Sequence, residues 1–135
     1  MTAPFGTQVT VVVPPQATAG SDLNTDIYVA PRAATVTAVT YSTVTAITGA
    51  NTNSRTVVLV NLGQSGVGTT VIATLAFVSG VNTVAGDEKT ITLSATPANL
   101  VLAAGDVLQW QSTHVGTGIA DPGGLVAITT TANYA

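Results

Sequence analysis

The stretch that decides the fold is residues 100–126, which read L-V-L-A-A-G-D-V-L-Q-W-Q-S-T-H-V-G-T-G-I-A-D-P-G-G-L-V. Two turn signals enclose one strand in it. Gly105-Asp106 predicts a tight turn, because glycine adopts a positive φ without steric cost. Asp121-Pro122-Gly123-Gly124 predicts a second turn, with proline at its first central position and glycine at its second. Between the turns, residues 107–114 alternate between the two faces of a strand.

This strand carries the single tryptophan and the single histidine of the chain, Trp110 and His114. The alternation places both side chains on one face. A lone tryptophan in a β-sandwich typically belongs to the core, with its N–H bonded to a backbone carbonyl, whereas an exposed one can stack on a sugar ring. We predict that Trp110 lies in the core or at a subunit interface, and that His114 is a candidate for the same interface.

Valine and threonine dominate the rest of the sequence. Both are β-branched and suit a pleated strand better than a helix, and the residues that favour helix surfaces are scarce. Turn signals recur at the spacing expected for a sandwich or barrel of about eight strands. We therefore predict an all-β fold, an antiparallel β-sandwich that is jelly-roll-like, with an N-terminal arm. An immunoglobulin-like sandwich is the alternative.

Two stretches carry finer predictions. Residues 33–48 form the longest β-like run, which is long for one strand and predicts a bend or bulge near Tyr41-Ser42. The alternation there places Val36 on the face opposite Val39 and Tyr41. Residues 89–94 alternate cleanly and predict one strand, with Ile91 facing inward.

The domain organisation follows from length, since 135 residues suit one domain. We predict an arm or edge strand over residues 1–15, ended by Pro14-Pro15, and a single β-sandwich domain over residues 16–135. Two interpretations of the first segment stay open, an edge strand on its own domain or an arm that reaches a neighbouring subunit. The candidate partner-binding residues are Thr2, Pro4, Phe5, Val9, Val11 and Val13.

The composition argues against several classes of protein. Charged residues make up 7% of the chain and the net charge is −3. Direct binding of nucleic acid needs a cluster of cations, which the scattered Arg32, Arg55 and Lys89 do not provide. The chain has no cysteine, and so has neither disulfides nor thiolate metal sites. No apolar run approaches the roughly 20 residues of a membrane-spanning helix, and we expect no signal peptide and no export.

Catalytic constellations need several ionisable groups in one pocket, and the sequence offers few. Asp22 and Asp26 are interpreted as solvated loop acids. A pair of carboxylates for glycoside hydrolysis is conceivable from the acids near residues 87–88, Asp106 and Asp121, but all of these lie at turns, where aspartate bonds the local backbone. We predict that the chain is not an enzyme and has no catalytic residue, no cofactor and no metal site.

Three motifs resemble those of small β-sandwich virion proteins of tailed bacteriophages. They are Val29-Ala30-Pro31, Ala103-Ala104-Gly105-Asp106-Val107-Leu108 and Asp121-Pro122-Gly123-Gly124-Leu125-Val126. The nearest class is the capsid decoration, or head cement, proteins, and the likeness extends over residues 22–130. The resemblance implies a homotrimer that is assembled in the host cytoplasm and binds the major capsid protein on the capsid exterior. There it holds neighbouring capsomers together after the shell expands.

Two further functions stay open at this point. One is a head-fibre or tail-associated sandwich that binds host glycans, which predicts an exposed aromatic patch that includes Trp110. The other is a secreted carbohydrate-binding or adhesin module. The low aromatic content, 4% of the chain, counts against an aromatic sugar-binding platform.

Overall fold

Ten β-strands and one 3-10 turn make up the part of the chain that the computed structural model describes, residues 6–133. The strands are β1 (Gly6–Val13), β2 (Leu23–Val29), β3 (Ala34–Thr43), β4 (Ser54–Asn61), β5 (Thr70–Ala76), β6 (Glu88–Thr90), β7 (Thr92–Leu93), β8 (Val101–Leu102), β9 (Val107–Val115) and β10 (Gly124–Ala132). The 3-10 turn is Pro97–Leu100. The all-β prediction is confirmed. No helix in residues 6–133 combines the length and the apolar character needed to cross a membrane.

The strands form two antiparallel sheets of five strands each. The sheet that we call the β1 sheet has the order β1-β10-β3-β6, with β8 also pairing with β3. The other, the β9 sheet, has the order β2-β9-β4-β5-β7. The first strand pairs with the last, and β1 to β4 alternate between the sheets, which is the arrangement of a jelly roll. An immunoglobulin sandwich pairs its first strand with its second, so that alternative is wrong.

The core lies between the two sheets and is filled by the side chains on the inward face of each strand. In β9, Leu108, Trp110 and Ser112 are buried, while the intervening residues face outward. Trp110 meets Tyr41 of the opposite sheet, with ring centroids 5.1 Å apart and ring planes inclined at 60°. Aromatic pairs in this tilted geometry add about 0.5–1.5 kcal/mol beyond the burial of their surface. The contact between these two rings therefore helps to join the sheets at their centre.

The longest predicted strand is shorter than expected and bulges at a different place. β3 ends at Thr43. Its irregularity lies at Thr37, because Ala38 pairs with Thr129 of β10 and Val36 with Thr130, which leaves Thr37 without an opposite residue in that strand. One extra residue reverses the alternation, so Val36 is buried in the core like Val39. The predicted bulge near residue 41 and the predicted opposite orientation of Val36 are wrong.

The segment predicted as one strand over residues 89–94 is divided between the two sheets. β6 pairs with β3 in the β1 sheet, whereas β7 pairs with β5 in the β9 sheet. Ile91 lies between them and is fully buried. The inward orientation of Ile91 is confirmed, and the single strand is wrong because the chain crosses from one sheet to the other at this residue.

The turn predicted at Gly105-Asp106 is present, whereas residues 121–124 connect to β10 without the predicted hydrogen-bonded turn. Gly105 has φ 89° and Gly123 has φ 72°, the left-handed region that glycine enters without steric cost. The carboxylate of Asp106 accepts hydrogen bonds from the Ala103 N–H and the Asn61 side-chain amide, both at 2.9 Å. Asp121 accepts one from the Gly123 N–H at 3.0 Å. Both aspartates therefore accept a hydrogen bond from the backbone of their own connecting segment.

Candidate functional site

The N-terminal valines proposed as partner contacts lie in β1, which pairs with β10 of the same chain over its full length. Val13 is buried in the core, and Val11 packs against it. Val9 is half-buried on the same inward side. Val13 is therefore withdrawn from the partner-binding set, because its side chain fills its own sandwich. Thr2, Pro4 and Phe5 lie outside the described residues.

Trp110 is 1% exposed and belongs to the core. Of the two positions predicted for it, the core is the one that the structure shows. A ring buried there offers no face to a sugar, so the sugar-stacking interpretation is wrong. The expected hydrogen bond to a backbone carbonyl is also absent, since the indole N–H has no partner among the described residues. The alternation in the sequence correctly predicted that Trp110 faces inward. It did not predict that the indole nitrogen lacks a hydrogen-bond partner.

His114 lies at the end of the same inward row, where the sandwich opens to solvent. Its backbone N–H donates to Asp22 Oδ1 at 2.9 Å, and its Nδ1 lies 2.6 Å from the same oxygen. The backbone hydrogen bond from His114 is the main cause that lowers the pKa of Asp22. Asp22 is thus not a merely solvated loop acid. The pair fixes the start of β2 to β9, and its place at a subunit interface stays a prediction.

A buried polar network lies behind this pair, and sequence reasoning missed it. The carboxylate of Asp121 is 2% exposed. It accepts a hydrogen bond from the Tyr41 hydroxyl at 2.5 Å and one from the Ser112 hydroxyl at 2.6 Å. Burial, followed by the nearby carboxylate of Asp121, raises the pKa of Tyr41 well above its usual value. The Tyr41 hydroxyl therefore stays protonated and donates its hydrogen bond to Asp121.

Arg55 completes the network from β4 and is fully buried. Its Nη1 donates to the Ser112 hydroxyl at 3.1 Å. Its other nitrogens donate to backbone oxygens of two loops, Nε to Ile119 at 2.6 Å and Nη2 to Ala19 and Ser21 at 3.0 Å each. The guanidinium therefore fastens the β1–β2 and β9–β10 loops to the end of the sandwich.

The arrangement of these groups is suited to holding the loops in place. Both oxygens of the Asp121 carboxylate are engaged, and Arg55 donates to five groups of its own chain, which leaves neither side chain directed at a ligand. Within residues 6–133, no three His, Asp or Glu side chains come together as ligands for a metal ion. The one signal in the sequence was the position of Arg55. It lies two and four residues before the inward-facing Val57 and Leu59, and therefore on the same face of the strand.

An open groove of about 260 Å³ lies at the side of the sandwich where β1 begins. Its lining residues are Thr7, Tyr28, Pro31, Arg32, Ala34, Thr130 and Ala132. Ligand pockets usually measure about 300–1,000 Å³ and contain converging polar groups. The groove falls below that range and its lining includes one charged residue, Arg32, which is exposed.

A further surface feature is the outer face of the β1 sheet at three of its strands. The strands β1, β10 and β3 lie side by side there and contain no Asp, Glu, Lys, Arg or His. We call this surface the uncharged face. Its outward side chains are Gln8, Thr10, Val12, Thr35, Ala38, Thr40, Ser42, Leu125, Ala127, Thr129 and Thr131. Apolar exposure is concentrated at one end, where Val12, 72% exposed, pairs with Leu125, 45% exposed.

Comparison with known proteins gives little similarity. No protein-family model matches the chain, and no curated protein matches it. Among solved structures, the chain is similar to one described as "Structure of infectious bursal disease virus Gx strain", with a TM-score of 0.45 and 10% sequence identity. The alignment covers 98% of this chain and 34% of that one, so the chain spans about a third of its length. The jelly-roll assignment stands on the strand order.

Proposed function

We propose that this protein is a structural component of a virion, and more specifically a decoration protein that binds the exterior of a phage head and stabilises the expanded capsid. The observation that supports this proposal most strongly is the uncharged face. The buried centres of protein interfaces are depleted in charged residues, and three adjacent strands of this sheet carry none. A surface of this composition suits the close approach of another protein.

The jelly-roll topology is in keeping with such a role, because this architecture recurs in viral capsid proteins, although it also occurs in lectins and cupins. Fold alone does not assign function. The described residues favour assembly over chemistry, since the buried ionisable groups Arg55, Asp106 and Asp121 are all bonded to other groups of their own chain. We therefore propose no catalytic step for the protein.

The proposed partners are the major capsid protein and further copies of this chain, arranged as the homotrimer that the sequence resemblance implies. A symmetric oligomer repeats one weak contact on several capsid subunits, and the linked contacts combine into a much higher avidity than each has alone. The residues before β1, among them Thr2, Pro4 and Phe5, are proposed to add contacts at the edge of this surface. The proposed site of action is the capsid exterior.

The experiment is binding of the purified protein to expanded phage heads that lack their decoration protein. Saturable binding that raises the melting temperature of the heads is the expected result. The matched variants are Thr129→Glu on the uncharged face and Thr113→Glu on the outer face of the β9 sheet, since both threonines are half-buried in long strands. Thr129→Glu is expected to weaken binding at least tenfold, with Thr113→Glu unchanged. No binding of the wild-type protein to such heads overturns the decoration role.

A further inference from the structure

The four outer edges of the two sheets differ in how well they are protected against the addition of another strand. Natural proteins block such edges with charges, irregular pairing or very short strands. β2 carries Asp26, and its register with β9 shifts between Asp26 and Tyr28. β6, β7 and β8 are only two or three residues long, and β6 includes Glu88 and Lys89. These three edges are protected.

The edge formed by β1 has none of these features. The strand has eight residues, without a charge or a proline, and it pairs with β10 in a regular register from Gly6 to Val13. In residues 6–133 no second strand pairs with it. In an antiparallel ladder, alternate residues direct their N–H and C=O groups to opposite sides. Half of the β1 backbone groups therefore point away from β10, along a strand whose Thr7, Gln8 and Thr10 are exposed.

We propose that this edge binds β1 of a second copy in antiparallel fashion, about a two-fold axis at Thr10. This register places Thr10 opposite Thr10, Val9 opposite Val11, Gln8 opposite Val12 and Thr7 opposite Val13 of the other copy. Two five-stranded β1 sheets thereby become one sheet of ten strands. The pairing ends at Pro14, which has no N–H to donate to the ladder.

The strand is complementary to itself, which is why a second copy is the occupant. A two-fold contact brings each residue against the same strand of its partner, so a charge near the centre of β1 would meet its like. β1 carries no charge. Centring the axis on a residue also pairs odd positions with odd and even with even. The inward valines then stay on the core side, and the two uncharged faces join on the same side.

The contact does not depend on the proposed virion role, and it differs from the three-fold contact of the proposed trimer. The first test is the mass of the protein in solution, measured by light scattering. Thr10→Lys and Thr10→Glu each place like charges on the two-fold axis, and each is expected to halve the mass of the wild-type assembly. An equimolar mixture of the two variants is expected to restore it, because opposite charges then meet. Thr74→Lys, at an exposed threonine of the β9 sheet, is the control and leaves the mass unchanged.

The second test uses the absence of cysteine in the chain. Residues opposite each other in an antiparallel pair have Cα atoms about 4.5–5.5 Å apart, which is within the range that a disulfide spans. Thr10→Cys is therefore expected to form a covalent dimer on mild oxidation, and Thr74→Cys is expected to remain uncross-linked. A monomeric wild-type protein, an unchanged mass for both Thr10 charge variants, or no Thr10→Cys dimer overturns the pairing. None of these results bears on binding to phage heads, so the two proposals fail separately.

Discussion

Arg55 and Asp121 are a buried cation and a buried anion of this sandwich, and the hydroxyl of Ser112 joins them. Arg55 donates to Ser112 Oγ at 3.1 Å, and Ser112 Oγ donates to Asp121 Oδ2 at 2.6 Å. A buried charge without compensation costs several kcal/mol. Each of the two buried charges is therefore compensated by the other. Because Arg55 also holds the loops at this end of the sandwich, the position of those loops depends on both charges.

Replacement of Arg55 tests this dependence. Arg55→Met keeps a long apolar stem but leaves the Asp121 carboxylate uncompensated and the carbonyls of Ala19, Ser21 and Ile119 without their donor. Leaving a buried charge without compensation costs about 3–5 kcal/mol, and we expect a loss of that size in the free energy of unfolding, measured by chemical denaturation. The control is Arg32→Met at an exposed position, which is expected to change stability by less than about 0.5 kcal/mol. Equal effects at the two positions would contradict the assignment.

Tyr41 and Ser112 donate to different oxygens of one carboxylate, so their contributions are expected to be coupled. Tyr41→Phe removes one hydrogen bond to a charged group, worth about 1.5–3 kcal/mol. Ser112→Ala removes two, the one donated to Asp121 and the one accepted from Arg55. In the double variant the Asp121 carboxylate loses both side-chain donors at once. We expect a coupling energy of about 0.5–3 kcal/mol in a double-mutant cycle of unfolding free energies. Strict additivity would show that the two donors act independently.

Replacement of Trp110 is expected to cost no hydrogen bond, in contrast to replacement of Tyr41 or Ser112. Because the N–H has no partner in the described part of the chain, Trp110→Phe loses no hydrogen bond and removes an unsatisfied donor. The cost is then limited to the smaller ring and is expected to stay below about 2 kcal/mol, against about 3–5 kcal/mol for Trp110→Ala. Thermal and chemical unfolding of both variants measure the difference. Similar losses for phenylalanine and alanine would reveal a bonded N–H.

Asp22 predicts a dependence of stability on pH. Its pKa is lowered in the folded chain, mainly by the backbone N–H of His114. A carboxyl group with a lowered folded-state pKa stabilises the fold above its unfolded value of about 3.9 and loses that effect as the pH falls through the folded value. Asp22→Asn is therefore expected to be less stable than the wild type at pH 7, and the difference is expected to shrink at a pH below the unfolded value of about 3.9. Denaturant unfolding at both pH values measures it, with Asp26→Asn as the control. A difference that does not change with pH would exclude the ionised carboxylate as its cause.

Much of the fold followed from local rules. The strands could be predicted because β-branched residues alternate between turn signals, and each rule acts over a few neighbouring residues. Gly105 adopts the positive φ that its turn requires, and Ile91 and Trp110 face inward as their alternation indicates. The bulge at Thr37 and the crossing between sheets at Ile91 were missed, because both depend on pairing with strands that are distant in sequence.

The sequence by itself determined the all-β class, the turn before β9 and the small number of charges, since these are properties of composition and local spacing. The tertiary structure decided which strands are neighbours, and with them every feature of the candidate sites. Arg55, Ser112 and Asp121 lie on separate parts of the chain and meet only because β4, β9 and the following loop converge at one end of the sandwich. The uncharged face forms in the same way, because the first strand of the chain pairs with the last and so places β1, β10 and β3 side by side. The same pairing leaves β1 at an open edge of its sheet. Long-range pairing of this kind leaves no local pattern in the sequence.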